Sequence, residues 1–148
     1  MIGIVTKQFA SYGATATPPT DIVFQFTISS YIKGNGTSSV YVTDSGSAPD
    51  DPMVAKNGDA LIEVGQSYFL FLSSDWTCPP SPPYAPCTLP PTALDNTYHI
   101  VGGFEGKFLV AQGLVFSYSA LYPIPDGGLG TYVNGIPENQ FKSEVEST

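Results

Sequence analysis

From Asp21 to Lys33 the apolar residues fall on alternate positions. Ile22, Phe24, Phe26, Ile28 and Ile32 share one side, broken only by Ser30, while Val23, Gln25, Thr27, Ser29, Tyr31 and Lys33 share the other. A backbone that sends successive side chains to opposite faces makes this one long strand, apolar on one face and wet on the other. Such a strand covers one side of a single core, as in an antiparallel barrel or sandwich.

The same reading predicts further strands. Ile2 to Phe9 forms the first, with Gly3 at a bulge or a close approach. Val40 to Thr43 forms a short third, after a turn at Gly34-Asn35-Gly36. The run Tyr68-Phe69-Leu70-Phe71-Leu72 is apolar at every position, which predicts a central strand covered on both faces. Thr97 to Val101 resumes strand. Residues 107–110 and 114–117 form a hairpin through the three-residue connection Ala111-Gln112-Gly113. Met53 to Ala55 adds a short strand before the turn signal Asn57-Gly58. Between Asn134 and Val145, Pro137 marks a helix start, and Phe141 and Val145 lie one turn apart, so a short amphipathic helix is expected at about 136–146.

Residues 74–95 break this pattern. They hold half of the 14 prolines, together with Cys78 and Cys87. Proline removes the ladder donor, so this stretch is a surface loop and not a strand. The two cysteines lack the spacing of a redox pair, and one histidine in the chain leaves them without zinc co-ligands. A disulfide is the natural reading, contributing up to about 3 kcal/mol by restricting the unfolded chain. It implies an oxidising compartment or a disulfide-using thermophile.

Composition points to the same setting. At 148 residues the chain suits one domain, 1–148, able to bury roughly two-thirds of its unfolded surface. Charged residues make up 12%, against about 25% in a typical domain, and arginine is absent. The net charge is −8, with Lys7, Lys33, Lys56, Lys107 and Lys142 as the cations. Phosphate binding rests on Arg and Lys, so nucleic acid and anionic membranes are poor partners. Asn35-Gly36-Thr37 is a glycosylation sequon in a turn-like setting, in keeping with export. Met1 leads straight into Ile2, Ile4 and Val5, as though a leader had been removed.

Candidate chemistry is sparse. His99, the single histidine, has no strand-turn-helix nucleophile motif to serve, and reads as a structural hydrogen-bonder. Thirteen acids allow many carboxylate pairs, none in a recognisable hydrolase pattern. Asp44, Asp50 and Asp51, with Ser45 and Ser47, form an acidic loop whose oxygens suit calcium, although Asp and Ser are also ordinary turn-formers. Trp76 and Tyr84 flank or occupy the proline loop, where they either form a contact patch for protein or sugar or fold back to seal it.

The order Ile2-Gly3-Ile4-Val5, the alternating strand ending Tyr31-Ile32-Lys33-Gly34, Val40-Tyr41-Val42-Thr43, then Val64-Gly65-Gln66-Ser67-Tyr68-Phe69-Leu70-Phe71 resembles the netrin/TIMP-like module. The chain is also similar to secreted microbial β-domains that pair a Tyr-x-Leu-Phe-Leu strand with a Gly-Gly-x-x-Gly-Lys-Phe hairpin, here Gly102 to Phe108. The resemblance implies an oligonucleotide/oligosaccharide-binding (OB) type barrel and secretion. Inhibitory members use an N-terminal cysteine, which this chain lacks, so it does not imply protease inhibition.

The expectation is therefore an all-β domain: a five- or six-stranded, partly open antiparallel barrel with a C-terminal helix. An immunoglobulin-like sandwich is the alternative. The expected function is a non-enzymatic extracellular or cell-surface binding domain with a protein partner and no resident cofactor. The alternatives are a carbohydrate- or calcium-assisted binding module and, more remotely, a carboxylate-based hydrolase.

Overall fold

A computed structural model describes residues 1–8, 22–44, 60–74, 97–117, 121 and 133–148. Among these residues nine strands and the C-terminal helix follow one another: β1 Ile2–Gln8, β2 Ile22–Ser30, β3 Ser39–Asp44, β4 Ser67–Leu70, β5 Leu72–Ser73, β6 Thr97–Ile100, β7 Lys107–Ala111, β8 Leu114–Ser117, β9 Asn134–Pro137 and α1 Glu138–Ser147. All nine strands belong to one curled sheet, so the two-sheet sandwich alternative does not hold.

Strands β1, β2 and β3 form an antiparallel meander, with Ile2 opposite Ser30 and Phe24 opposite Val42. Gly3 lies so close to β2 that an added Cβ would stand 2.8 Å from the Thr27 carbonyl, which is the close approach the sequence implied. A parallel pairing then joins β3 to β6, with Val42 opposite Tyr98. On its far side β6 pairs with β5, and β5 continues β4 after the single residue Phe71. Because β4 pairs back onto β1, the path β1–β2–β3–β6–β5/β4 returns to its start. Five strands thus curl into a partly open barrel of OB-like plan. The closing contacts are short, three residue pairs between β1 and β4 and two between β5 and β6.

The barrel interior holds the first core. Phe24, Phe26, Val40, Val42, Tyr68 and Leu70 are buried there, and Phe26 meets Tyr68 edge-on at 6.4 Å. The alternation expected for β2 delivers Phe24 and Phe26, while Thr27, Ser29 and Ser30 are exposed on the strand's outer and terminal positions. Val23, expected on the wet face, is fully buried. Strand β4 is covered on both faces: Tyr68 and Leu70 point inward, and Phe69 joins a second core outside the barrel.

That second core forms where β7, β8 and β9 extend the sheet beyond β4 and α1 lies against it. Phe141 of α1 sits between Phe69 and Phe108, at 4.9 and 5.0 Å, and Val115 and Ile2 complete the cluster. The helix begins just after Pro137, as its fixed φ favours.

Three expectations are corrected. Among the described residues the sheet has nine strands, because the barrel is extended by β7–β9. It is mixed and not purely antiparallel, because β3 and β6 run side by side in the same direction. The β7–β8 connection has two residues, not three: Ala111 pairs with Leu114, and Gln112 and Gly113 take φ of 53° and 74°, the geometry of a type I′ hairpin.

Between β6 and β7 the chain makes a 3-10 turn at Gly103–Gly106, entered through left-handed Gly102. This turn locks the barrel seam, since Phe71 donates to the Gly106 carbonyl and Val101 donates to that of Phe71. A Cβ on Gly106 would lie 2.0 Å from the Val101 carbonyl oxygen, so the backbone must move to admit one. Gly106→Ala is expected to cost about 1–3 kcal/mol in urea unfolding. A loss below about 0.5 kcal/mol would show that the seam relaxes freely.

Candidate functional site

Two adjoining hollows open at the end of the barrel where β2 and β4 run past the start of β1. The first, about 190 Å³, lies between Tyr31, Lys33, Asn35 and Tyr98, with Val40, Leu70 and Leu72 beneath. The second, about 160 Å³, is more apolar and is lined by Ile32, Phe69, Phe71 and Val145. Met1, Lys33, Leu70 and Leu72 border both, so together they form one groove. Each hollow is smaller than the roughly 300–1,000 Å³ typical of small-molecule pockets. The shape suits a chain segment laid along it better than an enclosed small molecule.

Local structure sets the groove's polar rim. After β2 the chain turns through residues 31–37, and the Tyr31 hydroxyl donates to the Thr37 carbonyl at 2.8 Å, tying the turn together. Gly36 packs under the hydroxyl end of Tyr31, so a Cβ there would require that ring to shift. Burial, and then the neighbouring Tyr98, hold the Tyr31 phenol above its ordinary pKa. The Lys33 ammonium reaches the Thr148 hydroxyl at 3.4 Å. Met1 donates to the Leu70 carbonyl at 3.1 Å, and burial holds its amino group below the ordinary value. Lys33 is the one charged side chain among the residues lining either hollow, and none of those residues is acidic. In a chain of net charge −8 that local balance is unusual.

Phe71 gives the groove an apolar lip. It is 42% exposed, packs edge-on to Phe108 at 5.9 Å, and stands next to Val101, 47% exposed, across the seam.

The second chemical feature is a buried ion pair. Lys107, at the start of β7, is fully buried, and its ammonium contacts both carboxylate oxygens of Asp44 at 2.9 and 3.0 Å. It also donates to the Ala60 carbonyl at 2.6 Å, while the Ile62 amide donates to Asp44 Oδ2 at 3.0 Å. Three donors thus meet three acceptors, which is what allows an ammonium to stay charged away from water. The cluster joins the end of β3, the start of β7 and residues 60–62.

This geometry bears on the acidic-loop expectation. Asp44, grouped there with Asp50 and Asp51 as a calcium ligand, is turned inward and neutralised by a lysine. Asp50 and Asp51 lie outside the described residues, as do Trp76, Tyr84 and the cysteines Cys78 and Cys87, with the whole proline loop from 75 to 95. The strand expected at 53–55 also falls outside them. Asn35 is exposed on the turn beside the groove. His99 sits within β6, opposite Thr43 on one side and Ser73 on the other. Among the described residues, no three His, Cys, Asp or Glu side chains come together as a metal cluster.

Tyr31, Lys33, Leu72 and Tyr98 were not singled out by sequence, because only the barrel's closure brings three separate segments to one end. Lys107 carried a faint signal, a lysine opening the apolar strand Lys107-Phe108-Leu109-Val110. In comparisons with known proteins, no family model, curated protein or solved structure matches the chain.

Proposed function

We propose that this chain is a non-enzymatic extracellular binding domain that holds a protein partner in the end-of-barrel groove. The observation that carries this reading is the groove itself: an apolar floor and lip, with Tyr31, Tyr98, Asn35 and Lys33 around it. Tyrosine supplies large, stiff contact area with a polar tip, and an apolar centre with a polar rim is the usual anatomy of an interface. The OB-like barrel places such a surface on a rigid frame, which limits the ordering cost of binding.

The extracellular setting rests on composition. The chain has little charge and no arginine, Cys78 and Cys87 are spaced for a disulfide, and the sequon at Asn35 stands on an exposed turn. Among the described residues no helix is long and apolar enough to cross a membrane.

The test is affinity capture from the native extracellular fraction with three baits: the parent chain, Lys33→Glu/Phe71→Ser, and a remote control, Gln112→Ala. The parent and control should retain the same protein, and the groove variant should bind it at least about tenfold more weakly. Equal retention by all three baits, or retention by none, would sink the proposal.

A further inference from the structure

Three Asn-Gly pairs occur in the chain, at 35–36, 57–58 and 134–135. An asparagine followed by glycine is open to attack by the next main-chain nitrogen on its own side-chain amide, because no Cβ on the second residue crowds the approach. That nitrogen must first leave any hydrogen bond and swing toward the asparagine Cγ. Local structure therefore decides which pair reacts. Asn57-Gly58 lies outside the described residues.

The other two pairs stand in opposite settings. Asn134 and Gly135 belong to β9, with Asn134 opposite Phe116 and Ile136 opposite Val115. Just before them the Ser117 amide donates to the Val133 carbonyl at 2.8 Å. Reaction there requires β9 to lift from β8. Asn35 and Gly36 lie in no strand or helix, and every residue from 33 to 38 is exposed. Among the described residues nothing bonds the Gly36 amide or the Asn35 side chain. Gly34 precedes them at φ 75°, with nothing within 4 Å of where its Cβ would lie. The bonds that hold this turn, from Tyr31 to Thr37 and from Ile28 to Ser38, involve neither residue of the pair.

We propose that Asn35 is a site of spontaneous deamidation, a slow self-modification that places a new carboxylate on the exposed turn after β2. The Gly36 nitrogen gives up its proton and bonds to the Asn35 Cγ, and the side-chain nitrogen leaves as ammonia. Water then opens the resulting cyclic imide at either carbonyl. One opening leaves aspartate, and the other leaves isoaspartate, whose main chain runs through the former side chain. The net change is water taken up and ammonia released, with no oxidant or reductant. Asn35 and Lys33 line the same hollow, so the product sets an anion near that ammonium. It also adds a negative charge to a chain of net −8. Isoaspartate further lengthens the main chain inside the turn that the Tyr31–Thr37 bond closes. This inference stands on the turn and not on the groove being a binding surface.

The experiment holds the full chain, folded, in neutral buffer for weeks and samples it by lysine-specific cleavage at mildly acidic pH. Lysines at 33, 56, 107 and 142 put the three pairs on separate peptides, 34–56, 57–107 and 108–142. Asn35 is the single amide side chain of the first, so any conversion there belongs to it. Mass spectrometry reads the exchange of an amino group for a hydroxyl. Asn35 should convert at least about tenfold faster than Asn134, located within 108–142 by fragmentation. Its products should separate into two peaks, one of them labelled by an isoaspartate-specific carboxyl methyltransferase. In urea, where both pairs lie in unfolded chain, the gap should close. Asn35 converting no faster than Asn134 in the folded chain would overturn the inference, as would products that the methyltransferase leaves unlabelled. A gap of about tenfold that persists in urea would also overturn it, because its cause would then be sequence neighbours and not the fold. So would a glycan found on Asn35 in the native protein, since that nitrogen could no longer leave as ammonia.

Discussion

Replacing Lys107 with methionine should destabilise the domain by about 3–5 kcal/mol, because it strips a buried carboxylate of its cation. Asp44 is buried beside Lys107, and the ammonium reaches both of its oxygens and the Ala60 carbonyl. Methionine fills much of the lysine's volume, so lost packing contributes little and the loss reports mainly on the abandoned charge. The double variant Asp44→Leu/Lys107→Met separates the two causes. With both charges gone, most of the loss should be recovered, since apolar replacement of a whole buried pair is often neutral. Urea unfolding of the parent, single and double variants measures this cycle. A single variant losing less than about 1 kcal/mol would mean that the carboxylate has found water, the behaviour of a surface pair.

The same pair shows where sequence reading reaches and where it stops. Local pattern predicted the elements whose faces are set by their own residues. The alternation of Phe24 and Phe26 became the barrel face of β2, and Phe141, with half-buried Val145 a turn away, became the packed face of α1; of the continuous run at 68–72, only Tyr68 to Leu70 is covered on both faces, while Phe71 is exposed and Leu72 half-buried. Non-local geometry was not legible. Asp44 and Lys107 are 63 positions apart, and nothing near either one names the other. Before closure, Asp44 is an acid at the head of a Ser- and Pro-rich loop, and calcium is a reasonable reading.

The parallel β3–β6 pairing depends on how the chain crosses from one barrel wall to the other, which strand patterns do not encode. β9 was missed because Asn134-Gly135-Ile136-Pro137 has almost no strand propensity. It pairs because β8 offers an edge there, with Ile136 opposite Val115. Val23 and its register partner Thr43 are both buried although they face away from the barrel core, so the outer wall at that end is covered as well. The groove belongs to the same class of feature. Its rim comes from residues near 31–35, 70–72 and 98, and each segment alone reads as ordinary turn or strand.

Phe141→Ala carries the second large expected effect, about 3–5 kcal/mol on the contacts between α1 and the sheet. Its ring is held by Phe69 and Phe108, and no other α1 side chain is buried. A ten-residue helix is marginal in water by itself, so α1 exists because this ring docks it. The half-exposed pair Lys142–Glu138, at 2.7 Å, supports the helix only locally. Glu138→Gln should therefore cost about 0.5 kcal/mol or less. The distribution of the Phe141→Ala loss matters as much as its size. Amides of residues 138–147 should lose most of their exchange protection, while those of Phe24 and Phe26, inside the barrel, should keep theirs. Uniform loss across both sets would mean that the barrel cannot stand without its outer core. That result would identify Phe69, which shares β4 with Tyr68 and Leu70, as the residue coupling the two.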